Sequence, residues 1–216
     1  MEKSPGNDEM TDGTGLVCGL DEAGRGPMAG PVCAAAVILP PDFDISFLND
    51  SKKLTEKRRD VAMREIMLHA AAWYIGWASS AEIDRMNILR ASLLAMKRSF
   101  EGLIAGQHAD SPVRRNFRSL EVIVDGLFIP DIAHGNCRAL PKADASVPAV
   151  MAASILAKTA RDRMMTRYSW LYPQYGYERH KGYATRDHIE ALKKNGPSPI
   201  QRKTFRLRGE GQAELF

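Results

Sequence analysis

The stretch LVCGLDEAGRGPMAGPVCAAAVIL, residues 16–39, holds two apolar runs on either side of a turn rich in glycine and proline. The runs LVCGLD (16–21) and VCAAAVIL (32–39) are short and rich in Val, Cys and Ala, which is typical of buried strands bounded by Gly and Pro. The first run leads into two adjacent acids, Asp21 and Glu22, just before the turn. Adjacent carboxylates repel each other, so the pair raises the question of what compensates their charge.

Hydrophobic periodicity and turn residues predict the other elements outward from this stretch. The first three strands are expected to form a meander, and the fourth and fifth to lie parallel beside the first through helical crossovers. We therefore predict an α/β fold with a mixed five-stranded sheet flanked by helices. The predicted helices are 54–70 with Thr55 as N-cap, 82–104, 148–165 and about 184–194; the predicted strands are 73–79, 120–126 and 137–144, and 105–118 is a predicted loop.

Composition favours one medium-sized domain with a polyanionic partner. The chain has 216 residues, is 44% hydrophobic and carries a net charge of +4. Between Glu178 and Arg208 nine Lys or Arg stand against three acids, which indicates a nucleic-acid contact or, alternatively, a solvated basic face. The start has no signal-peptide core, and the longest apolar run, Val32 to Leu39, is too short to cross a bilayer. Three widely spaced cysteines, without a CxxC motif, complete the expectation of a cytoplasmic protein with reduced thiols.

Four acids are candidate metal ligands: Asp21, Glu22, Asp125 and Asp144. A single acid at a strand end is more often a turn former or a helix cap. Four acids that converge on one sheet edge require compensation, which Mg²⁺ supplies because it prefers carboxylate oxygens. Two such ions could hydrolyse a phosphodiester. Competing chemistry is weaker, because the sequence has no Walker loop, HExxH or GxSxG motif, and His180 and His188 are expected at the surface or near phosphate.

Six blocks of the sequence, in order between residues 16 and 205, resemble bacterial ribonuclease HII. They are GLDEAGRGPMAGPV, DSKKLTEKRR, VIVDG, KADASVPAVMAASILAKTARD, YGYERHKGYATRDH and GPSPIQRKTF. The resemblance implies a ribonuclease H-like fold with a small C-terminal helical appendage. It also implies an endoribonuclease, dependent on two Mg²⁺ or Mn²⁺ ions, that hydrolyses the RNA strand of RNA–DNA hybrids. Cleavage at ribonucleotides embedded in duplex DNA, 3′-hydroxyl and 5′-phosphate products, and a part in ribonucleotide excision repair are implied as well.

The resemblance also implies roles for individual residues. The four candidate acids match the metal-binding acids of the family. Gly24, Arg25 and Gly26 match the motif that senses the 2′-hydroxyl, and Tyr183 matches a tyrosine beside the scissile junction. The family usually has glycine before the fourth acid, whereas this chain has Ala143. If that position requires a positive φ, the alanine is strained there and Asp144 is displaced.

Basic residues near these motifs are candidate phosphate contacts. Ser51, Lys52 and Lys53 precede a predicted helix and bind phosphate or form a solvated loop. Lys142 and Lys158 flank the Asp144 motif, and the segment from Arg179 to Lys203 is expected to supply duplex affinity independent of sequence. The remaining candidates are Asn87, which reaches nucleic acid or packs between helices, and Trp73, Trp77 and Trp170, which we expect in the core.

The predicted organisation has three parts: a flexible tail at 1–14, a ribonuclease H-like catalytic domain at 15–172, and a basic helical segment with a tail at 173–216. We expect a monomer that binds hybrid and ribonucleotide-containing duplex and no membrane. Two alternatives remain at this point. One is another two-metal nuclease on the same sheet, such as a junction resolvase or an integrase-like enzyme. The other is a catalytically silent hybrid-binding module.

Overall fold

The computed structural model describes residues 15–48 and 54–205. Within them the chain forms five strands, β1 (Val17–Ala23), β2 (Val32–Ile38), β3 (Ala72–Ala78), β4 (Glu121–Asp125) and β5 (Cys137–Leu140). They make one sheet of order β3-β2-β1-β4-β5. β1 pairs antiparallel with β2, and β2 antiparallel with β3, whereas β4 is parallel to β1 and β5 is parallel to β4. The predicted meander with two parallel additions is therefore confirmed, but the predicted helical crossover into β5 is wrong, because residues 126–136 contain no helix.

Helices cover both faces of the sheet. Thr55 caps the first of them as predicted, because its side-chain oxygen accepts a hydrogen bond from the N–H of Arg58. The helices are α1 (Glu56–His69), α2 (Ser80–Met86), α3 (Ile88–Ala105), α4 (Pro112–Arg115), α5 (Pro148–Leu171), α6 (Tyr177–His180) and α7 (Arg186–Asn195).

Strand β2 is buried at every position because helices lie on both sides of it. Successive side chains of a strand point to opposite faces. Ala34 and Ala36 accordingly join the core cluster that includes α3, whereas Cys33 and Ala35 join the cluster that includes α1 and α5. A run of alanines on a central strand lets both helical layers approach closely.

Helix α5 begins directly against β1. A Cβ added at Gly19 would overlap the backbone of Ala149, so only glycine at this position of β1 lets the first turn of α5 come this near. The contact places the next turn of α5, with Ser154, beside the acidic end of β1. The absence of one side chain thus positions a helix at the candidate site.

A third core cluster joins the C-terminal segment to the turn after β1. Met28 and Ala29 from that turn pack with Tyr177, Leu192 and other buried residues of the C-terminal segment, and with α5. Two backbone hydrogen bonds, from Gly30 N–H to the Ile200 carbonyl and from Arg202 N–H to the Met28 carbonyl, link the same two segments. The predicted division at residue 172 stays a prediction.

The long helix predicted over 82–104 is wrong, because the chain breaks at Asn87 into α2 and α3. Asn87 has φ 74°, and its side chain accepts a hydrogen bond from the N–H of Arg90, which caps α3. The capping box formed by Ser79 and Glu82 starts α2. The amphipathic pattern runs through the break, so periodicity alone cannot detect it. Asn87 therefore serves as a helix cap.

Other boundaries also differ from the sequence-based expectation. β1 extends to Ala23, α5 continues to Leu171, and the predicted loop 105–118 contains α4. Trp170 is 75% exposed, so its prediction as a core residue is wrong, whereas Trp73 and Trp77 are partly buried against the core. The last helix begins two residues later than predicted, and α6 was not predicted.

The state of the cysteines agrees with the sequence-based expectation of reduced thiols. All three cysteines are free thiols, and burial raises the pKa of Cys18 to about 12, so this thiol is protonated and unreactive at neutral pH. Among the described residues, we find no helix with the length and apolar character needed to span a membrane.

Candidate active site

Three aspartates from separate elements meet at the carboxyl ends of β1 and β4. Asp21 lies on β1, Asp125 is the last residue of β4, and Asp144 lies in a 3₁₀ turn after β5. One carboxylate oxygen from each lies within 4.8 Å of the others. The parallel pairing of β1 with β4 ends at the pair Leu20 and Val124, so the acids stand where the two strands separate. Ligands bind at this kind of position in parallel sheets.

The turn that carries Asp144 is anchored on Asp125. The N–H of Ala143 donates a 2.8 Å hydrogen bond to Oδ1 of Asp125. The left-handed residue of this turn is Lys142, with φ 61°, and Ala143 is not among the described residues with positive φ. The expected strain at Ala143 is therefore wrong, and alanine fits beside Asp144 without displacing it.

Glu22 lines the same cleft but is not one of the three clustered acids. β1 stays regular through Ala23, so neighbouring side chains leave the strand on different sides. The carboxylate of Glu22 pairs instead with Arg25, at 3.2 Å between Nη1 and Oε1. The predicted set of four acids is therefore arranged as a close trio plus one acid paired with the turn.

Burial makes the charged form of these acids costly. It raises the pKa of Asp21 well above the usual range, and repulsion from Glu22 and Asp125 raises it further. Burial also raises the pKa of Glu22, although Arg25 opposes the change. The hydroxyl of Ser154 and the N–H of Glu22 donate hydrogen bonds to Asp21 and support the carboxylate only in part. Mg²⁺ and Mn²⁺ prefer carboxylate oxygens as ligands, so a divalent ion bound here would compensate the clustered negative charge.

A cleft of about 250 Å³ is lined by Asp21, Glu22 and Asp125 and is bordered by the glycine turn, Lys158 and Tyr183, whereas Asp144 is not among its lining residues. Nζ of Lys158 lies 2.8 Å from Oδ1 of Asp162, a buried acid that also approaches Arg59 at 3.4 Å. Lys142 is exposed in the Asp144 turn and is not among the residues that border this cleft. The candidate phosphate contacts Ser51, Lys52 and Lys53 lie outside the described residues.

The turn at Gly24 requires glycine for two reasons. Gly24 has φ 102°, which L side chains rarely adopt, and a Cβ there would overlap the side chain of Arg161. Gly26 has room, since its nearest neighbour would be the ring of Tyr183 at 3.6 Å. The turn therefore packs against the side chain of Arg161 at Gly24 and faces Tyr183 at Gly26.

Arg202 was expected to contact phosphate, and this expectation is wrong because the residue is fully buried. Its guanidinium donates to the carbonyls of Gly24, Arg25, Gly30 and Pro31 at 2.6–3.3 Å. Burial lowers its pKa, and the nearby charge of Arg161 lowers it further. Sequence reasoning missed this role because Arg202 stands in a basic segment that resembles a solvated surface.

His180 and His188, which were expected at the surface or near phosphate, are buried instead, and they hold the segment that carries Tyr183. His180 Nδ1 accepts from the N–H of Gly182, and Nδ1 of His188 lies 2.9 Å from the carbonyl of Tyr183. The rings stack with centroids 4.5 Å apart. Tyr183 itself is 44% exposed. The histidine pair therefore supports the backbone on either side of an exposed tyrosine.

The sequence as a whole matches one family. The ribonuclease HII family model matches residues 18–208. The chain belongs to the ribonuclease HII family. It is therefore an endoribonuclease of the ribonuclease H type, and members of this family cleave RNA in RNA–DNA hybrids.

Ribonuclease HII relatives extend over almost the whole chain. Ribonuclease HII of Treponema denticola is 58% identical over 193 residues, which covers 88% of this chain and 98% of that protein. Ribonuclease HII of Idiomarina loihiensis is 48% identical over 190 residues, which covers 88% and 95%. The solved ribonuclease H2 from Pyrococcus horikoshii superposes with a TM-score of 0.65 at 26% identity and covers 88% of this chain and 93% of that one. The predicted ribonuclease H-like fold is thereby confirmed.

Proposed function

We propose that this member of the family hydrolyses the RNA strand of RNA–DNA hybrids and also cuts at single ribonucleotides embedded in duplex DNA. The observation that carries the proposal is the arrangement of one cleft. It is lined by Asp21, Glu22 and Asp125 together with the glycine turn and Tyr183, and Asp144 brings a carboxylate oxygen within 4.8 Å of those of Asp21 and Asp125. Hydrolysis and sugar recognition can therefore act on the same nucleotide.

The acid trio and Glu22 are the proposed ligands of two divalent ions, Mg²⁺ or Mn²⁺. Three buried or half-buried carboxylates with oxygens within 4.8 Å of one another, one of them with a strongly raised pKa, fit a hard dication. The chemistry that such ions supply when bound is activation of the attacking water and stabilisation of charge on the leaving oxygen. In-line attack that expels the 3′ oxygen leaves 3′-hydroxyl and 5′-phosphate ends.

The chain's own residues hold and orient the substrate around these acids. Lys158 borders the cleft with its ammonium fixed by Asp162, which suits a contact to a backbone phosphate. Arg25 is half exposed beside Glu22 and is placed to hold the turn or to contact phosphate. We propose Lys142 and the exposed basic residues of the C-terminal segment as further phosphate contacts, and we extend this to the predicted contacts Ser51, Lys52 and Lys53.

Main-chain groups of the glycine turn are the proposed readers of the 2′-hydroxyl. That hydroxyl both donates and accepts hydrogen bonds, so a polar pocket can distinguish ribose from deoxyribose at one nucleotide. Gly26 leaves the space in front of Tyr183 open, and this is where a sugar can approach the backbone. We propose that the ring of Tyr183 packs on the neighbouring deoxyribose and so favours a DNA nucleotide after the ribonucleotide.

The deciding experiment uses a labelled DNA duplex with one ribonucleotide, an all-DNA duplex of the same sequence, and a long RNA–DNA hybrid. The full chain is incubated with each substrate in Mg²⁺ or Mn²⁺, and product ends are identified by their mobility and by phosphatase treatment. We expect cleavage of both ribose-containing substrates and none of the all-DNA duplex. Cleavage of the all-DNA duplex would favour a resolvase-like or integrase-like activity, and binding without cleavage would contradict catalysis. The same protein, run on a sizing column, tests the proposed monomer.

A further inference from the structure

Two arginines lie buried behind the glycine turn. Arg161 on α5 is 1% exposed and Arg202 is 0% exposed. All the hydrogen bonds that the described residues show for these two guanidiniums go to backbone carbonyls. Buried charges are normally paired with opposite charges. Burial lowers the pKa of both guanidiniums, and the charge of Arg161 lowers the pKa of Arg202 further. Keeping two arginines here at this cost indicates a specific task.

Arg202 holds the two carbonyls of the turn itself. Its Nη2 donates to the Gly24 carbonyl at 2.6 Å, and its Nη1 donates to the Arg25 carbonyl at 3.0 Å. The peptide that carries the Gly24 carbonyl also carries the N–H of Arg25, and the next peptide carries the N–H of Gly26. In a trans peptide the C=O and the N–H point in opposite directions, and none of the described peptides is cis.

The two N–H groups of the turn therefore point away from Arg202. Gly24, Arg25 and Gly26 all border the cleft and Arg202 does not, so the cleft is the open side to which these N–H groups can turn. The N–H donors of a guanidinium are held in one rigid plane, so Arg202 can fix the orientation of both peptide groups at once. A lysine ammonium, which is a compact charge on a flexible stem, cannot do this.

Arg161 connects this turn to the segment that carries Tyr183. Its guanidinium donates to the carbonyls of Ala29 and Pro31 on one side and of Lys181 on the other, at 3.0–3.2 Å. The Gly182 carbonyl in turn accepts from the N–H of Met28 at 2.8 Å. The turn and the tyrosine segment are thus joined through the same buried layer.

We propose that Arg202 is a positioning residue for sugar recognition, which aims the N–H groups of Arg25 and Gly26 into the cleft by holding the carbonyls of Gly24 and Arg25. This inference rests on the proposed reading of the 2′-hydroxyl by the turn. It gives Arg202 a role in specificity and none in phosphate binding or in holding metal.

The segment that delivers Arg202 is fastened at a second point. The side chain of Asp84 on α2 accepts hydrogen bonds from the N–H groups of Lys203 and Thr204, each at 3.0 Å, and from the Thr204 hydroxyl at 2.9 Å. The guanidinium of Arg202 also lies over the ring of Phe205, 4.9 Å from its centroid. Loosening Asp84 should therefore disturb the aim of Arg202 without removing a buried charge.

The test measures sugar discrimination in binding, with the cleavage-deficient Asp125→Asn background of the full chain and added Mg²⁺. The readout is the ratio of Kd values for the all-DNA duplex and for the same duplex with one ribonucleotide. We expect Arg202→Lys to lower this ratio roughly tenfold, the effect of removing a well-aimed hydrogen bond. The affinity for all-DNA duplex and the slope of log Kd against log salt should stay unchanged. Arg163→Lys, an exposed change on α5, is the matched control and should leave the ratio intact.

Two further variants separate the outcomes. Asp84→Ala should lower the ratio in the same direction by a smaller factor, and it serves if Arg202→Lys does not fold. Should Gly24→Val abolish discrimination while Arg202→Lys and Asp84→Ala keep it in full, the turn reads the sugar but Arg202 does not aim it, and our inference is overturned. A changed salt slope in Arg202→Lys would equally overturn it. If the background protein itself shows no discrimination, the proposed reading of the 2′-hydroxyl has failed, and the inference falls with it.

Discussion

The N–H of Ala143 donates a 2.8 Å hydrogen bond to Oδ1 of Asp125, which ties the end of β4 to the turn that carries Asp144. One carboxylate oxygen thus helps to place a second candidate metal ligand. The side chain of Asp125 therefore has a structural contact as well as its proposed ligand role, and substitutions can separate the two.

Asp125→Asn should abolish cleavage and leave hybrid binding within about tenfold, because affinity rests mainly on phosphate contacts elsewhere. The amide keeps the oxygen that accepts from Ala143 but removes the charge that the proposed metals require. Asp125→Ala should lose cleavage and also loosen the Asp144 turn, with a lower melting temperature than the asparagine variant. Single-turnover cleavage, gel-shift binding and thermal unfolding give the three readouts. Near-normal turnover by Asp125→Asn would remove this residue from the metal site.

Asp21→Asn should stabilise the metal-free protein at pH 8. The pKa of Asp21 is raised in the folded state, so the folded state binds more protons than the unfolded one. The free energy of unfolding accordingly falls as the pH rises from the pKa of an aspartate in the unfolded chain, about 3.9, towards the raised pKa of Asp21 in the folded protein. Each pKa unit is worth about 1.4 kcal/mol, and 1 kcal/mol corresponds to a melting-temperature change of about 2–4 °C at this size. Thermal unfolding in chelator at pH 5 and pH 8 checks the prediction, and the gain should be larger at pH 8. A loss of stability at pH 8 would contradict it.

Gly24→Val should lose most activity on a single embedded ribonucleotide and should also lower the melting temperature. The positive φ of Gly24 and the overlap with Arg161 both oppose a side chain there. Gly26→Ala is the sharper variant, because a Cβ fits beside Tyr183 at 3.6 Å without overlap. We expect it to fold normally and still lose activity through blocked approach of the sugar. Gly15→Val, where a Cβ meets nothing within 4 Å, is the control. Unchanged cleavage by Gly24→Val would show that the turn does not recognise the 2′-hydroxyl.

Tyr183→Ala should lose more activity on a single embedded ribonucleotide than on a long RNA–DNA hybrid. The proposed stacking on a neighbouring deoxyribose operates only where DNA follows the ribonucleotide. Tyr183→Phe keeps the ring, so it should retain the preference of the wild type. The measurement is kcat/KM on both substrates for both variants, and equal losses by Tyr183→Ala would show that the ring does not read the junction.

Replacing Lys193 and Lys194 together by glutamine should weaken binding to all duplexes alike. Both side chains are exposed in the last turn of α7. Removing one phosphate interaction should reduce the slope of log Kd against log salt by about 0.9. Arg114→Gln with Arg115→Gln removes equal charge from α4, which lies outside the basic C-terminal segment, and should leave the slope unchanged. If the lysine pair also leaves the slope unchanged, these charges belong to a solvated face.

The sequence was sufficient to predict the sheet because its strands are short apolar runs with clear boundaries. Val32 to Ile38 illustrates this, since a strand buried on both faces needs no alternation and stands out as a continuous run. The acids Asp21 and Asp125 could be predicted for the same reason, because each follows such a run. The break at Asn87 could not, since a cap inside an amphipathic pattern leaves the periodicity unchanged.

Buried charged residues were beyond prediction for a different reason. Arg202 and Lys203 are adjacent in a basic segment, yet one is fully buried and the other is exposed. Arg202 can be buried because its guanidinium donates hydrogen bonds to the carbonyls of Gly24, Arg25 and Gly30, which lie more than 170 residues away in the sequence. Composition describes charge, whereas burial of an arginine depends on acceptors that only the folded chain brings together.

Because the third core cluster is separate from the two clusters on the faces of the sheet, we expect the protein to open in two steps. Strand β1 is bonded to β2 and β4, so its amides should exchange with solvent only when the whole sheet unfolds. The turn after β1 and the C-terminal segment share a smaller core around Tyr177 and Leu192, which can open as a separate cooperative unit. Under mild denaturant the protein should then pass through a state with its acids still in place and its glycine turn released. Such a state would keep its affinity for metal after it had stopped distinguishing one sugar from another.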